Sequence, residues 1–206
     1  YNRGHSTIAE LADCHIVDSA AHGIRVASGG FVKMQRGSIA RSSEDGLFID
    51  AVGITWHRVN AARAELSDVA IVDCGRNGIR CSNGGLLKMT RGSVLNSGFS
   101  MAWPYGAEDG MGCGVCAAPF EQPANEIKGG CVHLRAVRVE NSRDTGIFAC
   151  ASGIVHLSDG ALACDSGRQD YCTGSNDGEI VGVAGGPQFD RVQGEEGDEA
   201  EEGEEE

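Results

Sequence analysis

The chain has 206 residues, enough for one domain with a sizeable core or two small ones. Glycine accounts for 31 residues and aromatics for 5%, which argues against a helical protein and for short strands with tight turns. The formal charge of −13 is mostly a tail: Gly194 to Glu206, GEEGDEAEEGEEE, holds nine acids and no base, so the body carries 17 positive against 21 negative groups and no basic stripe for nucleic acid.

No run approaches the roughly 18 apolar residues a bilayer span needs, so no membrane-spanning segment is expected. The first residue is Tyr1, and no charged-then-apolar leader follows it, so the chain is expected to be processed or to belong to a longer one. Compartment is left open.

From the amino end, the first elements are the period-two pair Ala9 and Leu11, then Ile16, then Gly23 with Ile24 and Val26 behind it. The same pattern returns 23 residues on as Val32, Met34, Ile39 and Gly46 with Leu47 and Ile49. After nine extra residues, ITWHRVNAA (Ile54 to Ala62), it comes back as Ala64, Leu66, Ile71 and Gly78 with Ile79 and Cys81. Leu87, Met89 and Val94 follow, and then 22 extra residues split between FSMAWPYGAED (Phe99 to Asp109) and VCAAPFEQPANEIK (Val115 to Lys128), around Gly110 with Met111 and Cys113. Val132, Leu134, Val139 and Gly146 with Ile147 and Ala149 make the next unit; Val155, Leu157 and Leu162 make the last full one, and EIVGVAGG (Glu179 to Gly186) reads as a partial seventh.

The units come in two alternating kinds. Three residues past the anchors Leu11, Leu66 and Leu134 stand Cys14, Val69 and Val137, whereas Met34, Met89 and Leu157 are followed by Gly37, Gly92 and Gly160. GGFVKMQRGS at Gly29 and GGLLKMTRGS at Gly84 are therefore the same part of a duplicated two-unit block. The outer row Glu10, Lys33, Glu65, Lys88, His133, His156 alternates in sign over its first four members, which favours this register over a one-residue slip.

Alternation marks a strand with one buried face. Three strands of about three residues bury little alone, but stacked about 4.8 Å apart they would line a three-sided prism. Units such as FVKMQRGSIARSSEDGLFIDAVG and CVHLRAVRVENSRDTGIFACASG resemble the right-handed parallel β-helix repeats of the pectate-lyase-like superfamily, over about residues 6 to 178. The resemblance implies an all-β fold: a right-handed single-stranded parallel β-helix, a solenoid of about six coils of ~23 residues with three short strands per coil. Residues 1–186 are assigned to that domain and 187–206 to a disordered acidic tail, whose composition has too little hydrophobicity to fold.

The extra segments hold Trp56, Trp103, Tyr105 and Phe120, aromatics suited to a carbohydrate-binding platform; their other reading is packing against the column. The turn before each third strand carries His22, Asp45, Asn77, Asp109 and Thr145, with Glu44 and Glu108 alongside and Arg25 and Arg80 on the outward row. Carboxylates that hold calcium, with an arginine as base, would suit a polysaccharide lyase, and Asp45, Asp109 and Arg80 are the candidate catalytic residues. The simpler reading makes them turn residues ahead of glycine, helping a left-handed position.

No polygalacturonase-like NTD, paired-aspartate, GHG or RIK signature occurs, nor a pectate-lyase WIDH or epimerase DPHE segment, so no catalytic residue carries over. Cys113 and Cys116 form CGVC outside any redox or zinc context, and Cys113 is assigned to the core row beside Cys81, with a bridge between those two left open. His133 and His156 are neighbours on an outer face with no third ligand in view, so they read as solvated imidazoles and no metal is assigned. Calcium enters as a cofactor only if the chain is an enzyme. Two functions follow: a non-catalytic repeat module presenting a loop-decorated flank to a polysaccharide or another protein, or a lyase, hydrolase or epimerase acting on acidic polysaccharide.

Overall fold

The computed structural model describes residues 7–51, 61–99, 112–118, 129–174 and 177–182. The predicted segments at Trp56, Trp103, Tyr105, Asp109 and Phe120, and the acidic tail, lie outside the described residues.

Two parallel sheets make up the described fold. The first runs β1 (Ile8–Val17), β3 (Phe31–Ala40), β5 (Arg63–Cys74), β7 (Leu86–Ser97), β9 (Cys131–Glu140), β11 (Ile154–Ser158) and β14 (Glu179–Gly182), with β12 (Leu162–Cys164) also on β9. The second runs β2 (Ile24–Ala27), β4 (Leu47–Asp50), β6 (Ile79–Ser82), β8 (Val115–Ala117), β10 (Thr145–Ala149) and β13 (Gln169–Thr173). From β1 to β11 successive strands alternate between the sheets.

Register follows the apolar rows of the sequence. Leu11 pairs with Met34, Met34 with Leu66, Leu66 with Met89, Met89 with Leu134 and Leu134 with Leu157. Alternate residues of each strand point inward, so this row meets Ile24, Leu47, Ile79, Val115 and Ile147 of the second sheet in one core. Met34, Leu47, Ile71, Leu87 and Ile147 have no exposed surface, and each such side chain contributes about 1.5–3 kcal/mol on burial.

The three-sided right-handed β-helix expected from the sequence is corrected by this layout: the strands form two parallel sheets, and the solenoid assignment does not hold. The segments expected as the first and second strands of each unit are one strand of 10 to 12 residues in β1, β3, β5, β7 and β9. Each bends midway at a left-handed residue, Asp13, Arg36, Asp68, Arg91 or Ala136, with φ of 49–57°, and β5 and β7 hold a second one near their ends, Asp73 and Asn96. One such residue turns the chain without ending the ladder, so alternation on both sides of the bend reads in sequence as two strands. Only in the last unit does the bend, at Asp159, separate β11 from β12, and both still pair with β9.

The repeated RGS has its reason here. A Cβ on Gly37 would lie 2.0 Å from the Cys14 carbonyl oxygen, and one on Gly92 2.4 Å from that of Val69, so the residue after the bend in alternate units must be glycine. No helix among the described residues is long and apolar enough to cross a membrane.

Candidate functional site

The turn leading into the second sheet collects most of the predicted chemistry. His22, Asp45, Asn77, Cys113 and Thr145 each precede a glycine: Gly23, Gly46, Gly78, Gly114 and Gly146. These glycines are not left-handed, contrary to the sequence expectation. They are needed for space, since a Cβ on Gly78 would lie 2.1 Å from Val94 and one on Gly114 2.2 Å from Val139. Backbone bonds continue the ladder through the turn, Gly46 N–H donating to Asn77 O and Gly78 N–H to Cys113 O.

Cys113 in this row corrects the register read from sequence. In DGMGCGVC the turn glycine is Gly114 rather than Gly110, because Val115 and Ala117 pair with Ile79 and Cys81. Cys113 therefore occupies the turn position assigned to Asp109, and Ala117 is the neighbour of Cys81 in the core row. Cys81 and Cys113 are both free thiols.

Asp45 is the centre of the turn ladder and has no exposed surface. Its Oδ1 accepts hydrogen bonds from Asn77 N at 3.1 Å and Asn77 Nδ2 at 2.9 Å, and Asn77 Oδ1 accepts from Cys113 N at 3.0 Å. Its Oδ2 lies 3.4 Å from His22 Nδ1, while His22 Nε2 is 3.2 Å from Glu44 Oε2. The imidazole thus sits between two carboxylates, with the Phe48 ring 4.8 Å away. Burial pushes the Asp45 carboxyl up; contact with His22 and the charges of Arg80 and Arg76 outweigh it, and the net shift is downward.

Arg80 belongs to the outward row of the second sheet, Arg25, Phe48, Arg80, Cys116, Phe148 and Cys172. It is 3% exposed, whereas Arg25 is largely exposed and lies over Phe48 at 5.4 Å. Cys116, beside Arg80, is fully buried and is the more acidic of the CGVC thiols: the hydrogen bond from Cys113, followed by Arg80 and Arg76, stabilises its thiolate. Of the three candidate catalytic residues, then, Asp45 and Arg80 come within electrostatic reach of each other, both buried.

The arrangement can hold the Asp45 carboxylate ionised and fix a turn; Asp45 and Arg80 are buried, and among the described residues of the turn it is Glu44 and Arg25 that reach the surface. Sequence reasoning treated His22 and Asn77 as turn residues and missed that they bind Asp45 from either side. The signal was their common place before the repeated glycine. The pectate-lyase-like assignment gains no support from relatives: comparison of the chain with protein-family models, with curated proteins and with solved structures finds no match.

Proposed function

We propose that the chain is a non-catalytic binding module that presents one flank to a carbohydrate or protein ligand. The observation that supports this reading is the burial of Asp45. A general acid or base must come within hydrogen-bond reach of the proton it moves, and Asp45 has no surface, with Oδ1 committed to Asn77. On sequence grounds the ligand-contacting residues of the proposal are Trp56, Trp103, Tyr105 and Phe120, and the near balance of charge outside the tail argues against nucleic acid as the partner.

A turnover assay on acidic and neutral polysaccharides, with and without calcium, tests it. New double bonds are followed by ultraviolet absorbance, new ends by reducing sugar and inverted centres by proton NMR. The proposal expects none of the three. Turnover that disappears in Asp109→Asn or Asp45→Asn, with circular dichroism unchanged, would replace it with a polysaccharide-active enzyme.

A further inference from the structure

Cys131 and His133 stand two residues apart on β9, so both project from the outer face while Val132 and Leu134 are buried in the core. His156 on β11 is the direct cross-strand partner of His133. The Cys131 sulfur lies 3.4 Å from His133 Nε2, and the two imidazoles stack with centroids 4.5 Å apart and planes within 12°. One ligand atom from each of the three residues falls within 4.8 Å of the others. We propose that Cys131, His133 and His156 bind one zinc-class divalent cation, with a fourth position open to water or to a ligand.

The donor set selects the ion. One sulfur and two imidazole nitrogens suit zinc and its neighbours, whereas calcium takes six to eight oxygens, so this is a different site from any calcium site an acidic-polysaccharide enzyme would carry. Distances agree with the chemistry: bonds of about 2.3 Å to sulfur and 2.0 Å to nitrogen on a tetrahedral ion set those atoms about 3.5 Å apart, close to the separation of Cys131 and His133. Parallel rings send their lone pairs side by side, so a tilt of His156 about its side-chain torsions completes the three-point set. The ladder supplies the rigidity, because all three backbones are hydrogen-bonded neighbours in register.

The surroundings are mixed. Leu86 and Ile154 flank Cys131 across the strands, and Lys88 is the other neighbour of His133. Burial, then His156, then Lys88 hold His133 below the ordinary imidazole value, while burial raises the Cys131 thiol, so an incoming cation must displace the thiol proton.

Cobalt(II) is the probe, since it takes zinc's geometry and its near-ultraviolet charge-transfer absorption reports a thiolate ligand. Titrated into the full chain under reducing conditions, it should bind once per chain with that absorption and be displaced by zinc. Cys131→Ala should abolish the absorption, with Cys131→Ser as the isosteric check if the alanine variant unfolds. His156→Gln should weaken affinity by roughly tenfold or more. Cys14→Ala and Cys164→Ala, at other partly exposed cysteines, should leave the absorption unchanged. A titration without thiolate absorption, or absorption that survives in folded Cys131→Ala or Cys131→Ser, would overturn the site.

Discussion

Arg36 and Asp13 lie side by side on neighbouring strands, 23 residues apart, both in left-handed backbone, with guanidinium Nε and Nη2 2.7 and 2.8 Å from the two carboxylate oxygens. Arg91 and Asp68 repeat the arrangement one two-unit block later at 2.8 Å for both bonds. At the strand ends a second left-handed row does the same, Arg41 to Asp18 and Asn96 to Asp73. In the first two blocks the two kinds of unit are thus complementary, an acid at the bend of one facing a base at the bend of the next, and the hydrogen bond from the arginine holds the Asp13 and Asp68 carboxyls below their ordinary value.

Both residues of that pair are well exposed, so the charge itself carries little stability; the backbone conformation is the stricter demand. Arg36→Gly should leave the thermal midpoint nearly unchanged, because glycine adopts a left-handed φ freely. Arg36→Ile should lower it clearly, since a β-branched residue is strained there. Equal losses in the two variants, read by differential scanning calorimetry, would mean that the ion pair and not the bend matters.

Glycines separate into two classes that the same measurement distinguishes. Gly78→Ala forces a methyl to within 2.1 Å of Val94 and 2.8 Å of the Ser97 hydroxyl, and should cost about 2–3 kcal/mol or more in urea unfolding. Gly84→Ala meets no atom within 4 Å but sits at φ +77°, and should cost about 1 kcal/mol. A reversed order would show that the turn has room the packing denies.

Removing the Asp45 side chain strands the two Asn77 donors in a buried setting. Asp45→Ala should therefore cost about 3 kcal/mol, and Asp45→Asn, which still accepts from Asn77, about 1 kcal/mol. The carboxyl titrates below its ordinary 3.8 in the folded chain, so the unfolded chain binds more protons as acid is added. The stabilisation from its ionised form is present above about 3.8 and is lost as pH falls through the lower folded value. Asp45→Asn should lose less stability than the parent over that acidic window. Parallel pH curves for the two would remove Asp45 from the stability account.

At Cys74 and Cys81 thiol chemistry follows burial. Burial first, then the charge of Asp45, pushes Cys74 up to about 12, and Cys81 is raised further by burial and its neighbours Cys131 and Cys116. A thiol-disulfide reagent should leave Cys74 and Cys81 unmodified in the native protein and count nine thiols once the chain is unfolded without reductant. Seven thiols would indicate a bridge such as the one considered between Cys81 and Cys113.

Much of the register was legible because burial writes itself into alternation: Leu11, Met34, Leu66 and Met89 are apolar every 23 or 32 residues, and pair as their spacing predicts. The number of sheets was not, because the bend depends on the backbone of one residue. Asp13, Arg36, Asp68, Arg91 and Ala136 share no chemical type that would announce it. The slip at Cys113 arose where two glycines four residues apart compete for one turn, and only pairing with Ile79 and Cys81 decides between them. At the candidate sites, sequence could name Asp45 and Arg80 but not their burial. It also left out Cys131, whose place on the face of His133 was visible in their two-residue spacing.

Direct titration of the Asp45 carboxyl, by carbon-13 NMR with Asp45→Asn to assign the resonance, tests the central claim that this turn holds the fold rather than performing catalysis. A midpoint below 3.8 is expected, as for a carboxylate kept ionised, against its burial, by His22 and the charges of Arg80 and Arg76. A midpoint raised toward neutrality would contradict it, because that is the property of a carboxyl poised as a general acid.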